Sequence, residues 1–381
     1  GGMGLLPGNT LEAMKNAVDL GVNTLEMDIV VTKDKKVILS HDKFFTEETT
    51  RPDGTFVKKE DPREYIWKMT YEEIAKYDVG MRQFPNFPEQ KTIATVKPLL
   101  SDVLPFIEKY TEEKGMAPMR YNIEIKADPD WNGGLEGVDW PVYNEMVDIC
   151  VKVLNSFNLG ERLIVQTFDE RALAYMNEKY PELQLAYLVG GGEVHWLENK
   201  EMDFDTILGN IGFVPEWFSP AYIFVSKSCV EEAHRRGMKV VTWTVDNKDE
   251  MIRMIDAGVD AIISNYPNRL LEVVKQYEKE LFETFEKPLR NLTFTQGRIL
   301  LRLIDRELGL TSFYIIRDYR GKAAAGFWQG IAKIFGADLK TPYDRFGQDK
   351  DLEELVQMYH KGEFGYLYVS IFGKHPPRPA V

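Results

Sequence analysis

Strand-like and helix-like segments alternate along residues 10 to about 276, and this alternation limits the fold more than any other feature. The first helix is predicted over Thr10–Leu20, with Asn9 or Thr10 as its N-cap and Gly21 just past its last turn. Short apolar or alternating runs predict strands at Thr24–Thr32, Lys36–Ser40, Tyr121–Lys126, Leu163–Thr167, Leu185–Val189, Tyr222–Val225, Lys239–Thr244 and Ala261–Ser264. Helices are predicted between most of these strands, including Val142–Phe157, Arg171–Tyr180, Val230–Gly237 and Asp249–Gly258.

Such alternation predicts an α/β fold with a parallel sheet, either closed as a barrel or doubly wound. No G-x-G-x-x-G follows a predicted strand, so a dinucleotide-binding fold has no support. Residues 43–95 are polar and aromatic and contain four prolines. We interpret them as a long insertion over one end of the barrel, where substrate-binding loops usually lie.

The pattern changes after Pro267, where a charged, helix-forming run over Arg269–Phe285 predicts a linker helix. The remainder is predicted to be helical, with apolar helices over Gln296–Leu308 and Ala324–Phe335. We therefore expect an α/β unit over residues 1–275, a linker helix over 276–289 and a helical domain over 290–381.

The charge of the chain is unevenly distributed. From Lys279 onward there are 16 Lys+Arg and 13 Asp+Glu, a net charge of +3, so the first 278 residues carry 31 − 47 = −16. An acidic unit of this kind repels nucleic acid, and we expect no nucleic-acid partner. The two cysteines, Cys150 and Cys229, lie far apart in the sequence and predict buried thiols, not a disulfide framework.

No run approaches 18 apolar residues, so no transmembrane helix is expected. No signal peptide opens the chain. The sequence starts with Gly1-Gly2 instead of Met, which leaves open that the natural N-terminus was removed. The compartment is not indicated, although a signal peptide upstream would imply export.

Two acidic residues share one face of the first predicted strand. Glu26 and Asp28 alternate with apolar residues over Thr24–Thr32, so both side chains project from the same face. Two carboxylates on one buried face are costly unless something compensates their charge. A divalent cation is the usual compensation, and it predicts a metal site here.

The following hairpin is predicted to add a histidine. If Asp34-Lys35 form the turn centre, Asp28 pairs with His41, and paired residues lie about 4.5–5.5 Å apart. The alternative is an exposed surface hairpin whose acids are solvated and whose histidine has no role.

Another strand, Tyr121–Lys126, places Glu124 and Lys126 on one face. Charged side chains at the carboxyl ends of strands are where barrel enzymes carry out catalysis. Three carboxylates suit Mg²⁺ or Ca²⁺ better than zinc. Lys126 would hold a phosphate as a point charge, or it would only neutralise Glu124. Trp243, at the end of a later strand, is predicted either to form a wall of the site or to pack in the core.

These motifs together resemble the glycerophosphodiester phosphodiesterase family. The first are E-x-D at Glu26–Asp28, S-H-D at Ser40–Asp42 and N-I-E-I-K at Asn122–Lys126. The other matching segments, in chain order, are Pro7-Gly8-Asn9-Thr10, Gln166-Thr167-Phe168-Asp169, Trp243-Thr244-Val245-Asp246 and Gly258–Pro267. The resemblance covers residues 1 to about 275.

The resemblance implies a TIM-type (β/α)8 barrel in which Glu26, Asp28 and Glu124 bind the metal and His41 is one of two acid/base histidines. It implies hydrolysis of glycerophosphodiesters to glycerol 3-phosphate and an alcohol. The expected partner is a small-molecule phosphodiester. We expect Lys126, Gln166 and Trp243 to contact it.

Two departures from the family pattern qualify this expectation. The family opens with H-R-G at the end of its first strand, and this chain starts just after that position, so the first strand and the second histidine are expected to be missing. The chain as given is therefore expected to be nearly inactive. Gly8 replaces the glutamate of the family's P-E-N-T motif, a residue that we expect to contact the metal ligands and not the metal.

The C-terminal segments Leu292–Gly309 and Phe327–Lys340 resemble an uncharacterised bacterial helical domain and imply no chemistry. Two alternative functions remain at this point. One is a related barrel phospholipase that acts on whole lipids, and the other is a degenerate metal-binding scaffold without catalysis.

Overall fold

A computed structural model describes residues 1–127, 142–190, 196, 201–308 and 341–377. The chain divides into two compact units, Gly1–Glu278 and Lys279–Val381. The boundary between them falls inside one long helix, Pro267–Arg290. Each unit is described by itself below.

An eight-stranded sheet organises the first unit. Its strands are β1 (Thr24–Val31), β2 (Val37–Leu39), β3 (Arg120–Ile125), β4 (Leu163–Thr167), β5 (Gln184–Val189), β6 (Trp217–Pro220), β7 (Lys239–Thr242) and β8 (Ala261–Ile262). Their order is β2-β1-β3-β4-β5-β6-β7-β8. All neighbouring pairs are parallel except the antiparallel β1–β2 hairpin, so the predicted α/β class with a parallel sheet is confirmed.

Helices follow most of the strands in the first unit, and three more lie in the described part of the second unit. In chain order they are α1 (Leu11–Leu20), α2 (Tyr71–Ile74), α3 (Leu100–Glu113), α4 (Tyr143–Asn155), α5 (Glu170–Lys179), α6 (Phe204–Ile211), α7 (Lys227–Arg235), α8 (Lys248–Ala257), α9 (Pro267–Arg290), α10 (Phe294–Leu308), α11 (Lys350–His360) and α12 (Phe364–Phe372). The predicted helix over Ala324–Phe335 lies outside the described residues.

The first helix begins and ends at the predicted capping residues. The Thr10 hydroxyl accepts a hydrogen bond from the backbone N–H of Ala13 at 3.2 Å. Gly21 adopts the left-handed conformation with φ 97°, and its N–H donates to carbonyls of the last turn. Because glycine has no Cβ, this conformation costs it little, and the helix ends cleanly before β1.

The strand predicted over Tyr222–Val225 is wrong. The sixth strand is β6, which pairs with Ala186–Val189 and ends at Pro220. Tyr222–Phe224 form a 3₁₀ turn instead. Proline donates no backbone hydrogen bond, so it suits the end of a strand, and the apolar run after it was mistaken for the strand itself.

Apolar side chains pack on both faces of the sheet. On the outer face, Val165, Leu185, Phe218 and Val240 join the large core beneath the helices. Their neighbours on the inner face form a separate small cluster, Ile164, Ala186, Trp217 and Val241, with Ala261 and Ile263 against it. Strand alternation explains why the sheet has a core on each face. The sheet curls around the small cluster on its inner face.

The 43–95 insertion contains little regular structure beyond a 3₁₀ turn and α2. Its far end pairs with the segment that precedes α1. The Gln90 side-chain amide donates to the Met3 carbonyl at 2.8 Å, and the Lys91 N–H donates to the Leu5 carbonyl at 2.9 Å. The insertion therefore packs against the loop that leads into the site described below.

The second unit is helical in its described part. Arg302 on α10 donates to the carboxylate of Asp349, just before α11, at 2.8 Å. One turn on, Arg306 donates to Glu353 of α11 at 2.7 Å. These ion pairs join α10 to α11. No helix in the described part of the chain is long and apolar enough to cross a membrane.

Candidate functional site

Three carboxylates converge on the inner face of the sheet. Strand register pairs Asp28 of β1 with Glu124 of β3, and Glu26 lies two residues before Asp28 on the same face. One oxygen from each of the three side chains can be chosen so that all lie within 4.8 Å of one another. Strand alternation predicted which acids share a face on each of the two strands, and the family resemblance implied that all three meet at one metal.

The Lys126 ammonium lies among these acids. Its Nζ is 3.1 Å from Asp28 Oδ1 and 2.9 Å from Glu124 Oε1. The Lys126 side chain is only 12% exposed, so these contacts are largely shielded from water. Lys126 therefore neutralises part of the acidic cluster, and no Lys or Arg in the described ranges forms an ion pair with Glu26.

Asn9 holds Asp28 through two reciprocal hydrogen bonds. Its side-chain Nδ2 donates to Asp28 Oδ2 at 2.8 Å, and the Asp28 backbone N–H donates to Asn9 Oδ1 at 3.0 Å. Asn9 has a positive φ of 54°, in the left-handed region that asparagine tolerates better than most residues. Sequence reasoning considered Asn9 only as a helix cap. Its place in Pro7-Gly8-Asn9-Thr10 was the available signal.

A chain of amides supports Glu26. The Asn122 amide donates to Gln166 Oε1 at 3.0 Å, and Gln166 Nε2 lies 3.4 Å from Glu26 Oε1. Gln166 is 1% exposed and Asn122 is 3% exposed. Gln166 was predicted to contact substrate, and in the structure both ends of its amide contact protein groups beside the acids.

Burial and mutual repulsion disturb the ionisation of the cluster. Burial, together with the Asp28 charge, raises the pKa of Glu26 to about 7. Burial also raises the pKa of Glu124 to about 8, against the opposing effect of Lys126. Burial acts on Asp28 too, but the charges of Lys126 and His41 and the Asn9 hydrogen bond outweigh it and lower the pKa of Asp28 to about 2. The single ammonium group of Lys126 thus does not balance the three carboxylates of the cluster.

The predicted pairing of Asp28 with His41 is wrong by one residue. The observed register pairs Ile29 with Leu39, and the Ser40 N–H donates to the Asp28 carbonyl at 3.0 Å. The turn has three residues between Thr32 and Lys36, with Lys35 at φ 61°, where the prediction assumed two. One extra loop residue shifts the register by one.

His41 consequently follows the residue that pairs with Asp28. Its side chain is 67% exposed, and its Nδ1 is 3.5 Å from an Asp42 carboxylate oxygen. The contact with Asp42 raises the pKa of His41, and the nearby Asp28 charge adds to this effect. The imidazole therefore lies at the open rim of the site and not on its floor.

Trp243 lies just after β7, at the carboxyl edge of the sheet. Its indole N–H donates to the Ser219 carbonyl at 2.8 Å, and its ring meets Phe168 edge-on with centroids 5.4 Å apart. Trp243 is half-buried. These contacts hold the ring in place, and its role as a wall of the site or as part of the core stays a prediction.

The donor atoms fit a hard divalent cation. All three candidate ligands are carboxylates, and neither histidine nor cysteine belongs to the group. Mg²⁺ and Ca²⁺ prefer oxygen ligands of this kind, whereas zinc sites usually contain nitrogen or sulfur. The raised pKa values of Glu26 and Glu124 indicate the same deficit of positive charge. The residues present therefore fit such an ion.

Comparison with known proteins identifies the class to which this site belongs. The profile of the glycerophosphoryl diester phosphodiesterase family matches residues 1–269, and the chain belongs to this family. A second profile, a domain of unknown function (DUF4294), matches residues 241–358. The chain thus combines a phosphodiesterase unit with a C-terminal domain of undetermined role, as the sequence motifs indicated.

Individual relatives agree with this assignment. The chain is 29% identical over 272 residues to a glycerophosphodiester phosphodiesterase of Caldanaerobacter subterraneus subsp. tengcongensis, which covers 71% of this chain and 93% of the relative. A putative glycerophosphoryl diester phosphodiesterase from Silicibacter pomeroyi DSS-3 superposes with a TM-score of 0.63 at 26% identity, over 73% of this chain and 92% of that one.

A more distant structure shares the fold. It is an Oleispira antarctica phosphodiesterase in complex with the product sn-glycerol-3-phosphate. The superposition has a TM-score of 0.54 at 20% identity and covers 72% of this chain and 94% of that one.

Proposed function

We propose that the first unit hydrolyses glycerophosphodiesters to glycerol 3-phosphate and an alcohol, with a divalent cation held by Glu26, Asp28 and Glu124. The observation that carries this proposal is the convergence of these three carboxylates within 4.8 Å around Lys126. Family membership supports the reaction type.

We also infer that the curled sheet is of the (β/α)8-barrel type. β1 and β3–β8 form seven parallel strands, and an eight-stranded barrel needs one more between β1 and β8. Two contacts support this position for the gap. The Gly1 amino group donates to the Glu26 carbonyl at 3.1 Å, and the Gly4 N–H donates to the Asn265 carbonyl at 2.9 Å.

When bound, the cation would neutralise charge on the phosphoryl oxygens and lower the barrier to attack at phosphorus. Lys126, fixed by two carboxylates, would contribute a second positive charge on the same face. Asn9 and Gln166 would keep the carboxylates of Asp28 and Glu26 in place, because hydrogen bonds to ligand side chains fix their orientation.

His41 is the proposed proton-transfer residue. Asp42 lies on the Nδ1 side of the ring, which leaves Nε2 to take or give the proton. Its exposure at the rim suits exchange with a substrate hydroxyl or a leaving alcohol. Trp243 and Phe168 would form an aromatic wall against the organic part of the substrate.

The test is hydrolysis of glycerophosphocholine with Mg²⁺ or Ca²⁺ by the full-length protein with its natural N-terminus, with release of glycerol 3-phosphate and choline measured separately. The proposal requires turnover that a chelator abolishes and that Glu124→Gln reduces strongly. A second assay with lysophosphatidylcholine tests lipid substrates. Cation binding without turnover of either substrate would instead indicate a metal-binding scaffold.

A further inference from the structure

The residue paired with Asp28 across the hairpin is Ser40, and its side chain faces the site. The Ser40 N–H donates to the Asp28 carbonyl at 3.0 Å, which continues the register of Ile29 with Leu39. Residues paired across two strands project to the same face of the sheet. Asp28 pairs with Glu124 across β1 and β3 in the acidic cluster of the inner face. Asp28 and Ser40 therefore both project inward.

A second lysine reaches this inner face. Lys97 Nζ donates to Ser40 Oγ at 2.8 Å. The backbone beside Lys97 is fixed to β2, because the Leu39 N–H donates to the Pro98 carbonyl at 2.9 Å and Leu99 forms a bridge with Ile38. Lys97 thus lies on the β2 side of Asp28.

Lys126 lies on the other side of Asp28, next to β3. The two ammonium groups differ in their contacts. Lys126 contacts two carboxylates within 4.0 Å, whereas no carboxylate oxygen of the described residues lies that close to Lys97 Nζ. The Ser40 hydroxyl oxygen accepts a hydrogen bond from Lys97 Nζ. The same hydroxyl donates its own hydrogen to the Asp42 carbonyl at 2.5 Å.

The Phe45 ring lies 5.7 Å from Lys97 Nζ and adds a cation–π contact. An ammonium group offers three donor hydrogens, so beyond Ser40 and this ring Lys97 still has a donor for an anionic acceptor, counting contacts among the described residues. Burial lowers the pKa of Lys97, as expected for a cation that lacks a close anion. Its nearest charged neighbours, Asp42, Glu48 and Asp28, act only at longer range. Partly buried cations are costly unless an anion pairs with them. The arrangement therefore favours an anionic ligand on the inner face.

We propose that Lys97 binds a non-bridging phosphoryl oxygen of the substrate, on the side of Asp28 opposite Lys126. This proposal rests on the proposed phosphodiesterase function and names a residue that is absent from the motifs identified in the sequence. Two lysines then flank the phosphate, with Ser40 orienting Lys97. Arginine or lysine pairs that clamp a phosphate stabilise charge that develops during its transfer.

The experiment compares Lys97→Met, Lys97→Arg and the matched control Lys109→Met, which removes an exposed lysine from α3. Binding of sn-glycerol 3-phosphate and of inorganic phosphate is measured calorimetrically with Ca²⁺ present, beside Ca²⁺ binding and thermal stability. Lys97→Met is expected to weaken binding of both anions roughly 10- to 100-fold, the loss typical of one charge-assisted hydrogen bond. Lys97→Arg should restore part of it, and Lys109→Met should match the parent chain.

Two outcomes would overturn the proposal. One is unchanged anion binding and unchanged kcat/KM for glycerophosphocholine in Lys97→Met. The other is a loss of Ca²⁺ affinity and of thermal stability in Lys97→Met that accompanies the loss of anion binding. That result would mean that Lys97 has a structural role. If the parent chain bound phosphate through Lys97 but hydrolysed no phosphodiester, the proposed reaction would fail while the anion site stood.

Discussion

Asn9 and Asp28 exchange two hydrogen bonds, one to the carboxylate and one from the backbone N–H of the same residue. The loop that carries Asn9 and strand β1, which carries Asp28, are thereby fixed to each other beside the acidic cluster. A side chain that holds a ligand in this way influences the metal without touching it. This pair allows a sharp test of how the cluster is organised.

Asn9→Gly should weaken Ca²⁺ or Mg²⁺ binding by roughly 10- to 100-fold, the usual cost of losing a group that orients a ligand. Glycine accepts the positive φ of 54° at this position, so the substitution removes the amide without straining the backbone. Calorimetric titration of the cation checks this. Asn158→Gly, at a position with φ 49° away from the cluster, is the control. Unchanged affinity in Asn9→Gly would mean that Asp28 needs no support.

Glu124→Gln should abolish most of the cation affinity and leave the metal-free chain at least as stable as the parent. The neutral amide keeps the shape of the side chain and removes one of three neighbouring buried charges. Metal titration and thermal unfolding without metal provide the two measurements. Glu112→Gln on the exposed face of α3 controls for loss of one negative charge. A metal-free chain destabilised by Glu124→Gln would show that Lys126 depends on Glu124.

Stability of the metal-free chain should fall as the pH rises through about 7 and 8. Both Glu26 and Glu124 have folded-state pKa values raised above their ordinary 4.5. The folded state therefore binds these protons more tightly than the unfolded state, and the stabilisation present at low pH is lost as both groups ionise. A cation needs the ionised form, so its stabilising effect should grow over the same range.

The measurement is thermal unfolding with and without Ca²⁺ between about pH 6 and pH 9, a range that spans both raised pKa values. The increase in Tm caused by Ca²⁺ should be larger at the alkaline end. In the double variant Glu26→Gln, Glu124→Gln both trends should flatten. A Ca²⁺ effect independent of pH in the parent chain would contradict the proton competition.

His41→Ala should lower kcat for glycerophosphocholine by about 10²- to 10⁴-fold if His41 transfers a proton in the reaction. The proposed metal ligands do not include His41, so cation affinity should change little. His234→Ala is a suitable control, because His234 also contacts an aspartate, Asp260 at 2.8 Å, outside the acidic cluster. Comparable losses in both variants would point to a general effect on the fold.

The chemistry of the site could be predicted further than its geometry. Glu26 and Asp28 could be predicted to share a face because strand alternation is strict, and the family resemblance added Glu124 to them. Parallel pairing of β1 with β3 could not be read from either strand, yet any such pairing brings the acids to one edge. Local patterns thus predicted the cluster without predicting every neighbour.

The predictions failed where a single turn residue sets the strand register, or where a single side chain from a distant loop contacts the site. The turn before β2 contains a lysine with positive φ, which propensity alone would not place there, and the His41 register was therefore off by one. Asn9 contacts Asp28, and Lys97 contacts Ser40 beside it, from segments distant in sequence and through side-chain contacts that no periodicity records. Such contacts depend on how loops pack, and that depends on the whole fold.

The three-residue turn between β1 and β2 has a consequence for how the hairpin can change. The ladder pairs lie outside the turn, so deleting one turn residue would leave a two-residue turn between Thr32 and Lys36 and would keep Asp28 opposite Ser40. A slip of β2 by one residue would instead bring His41 into line with Asp28 and turn every side chain of β2 to the other face. The pairing of the two strands, and not the length of the exposed loop, thereby determines whether serine or histidine stands beside the central aspartate.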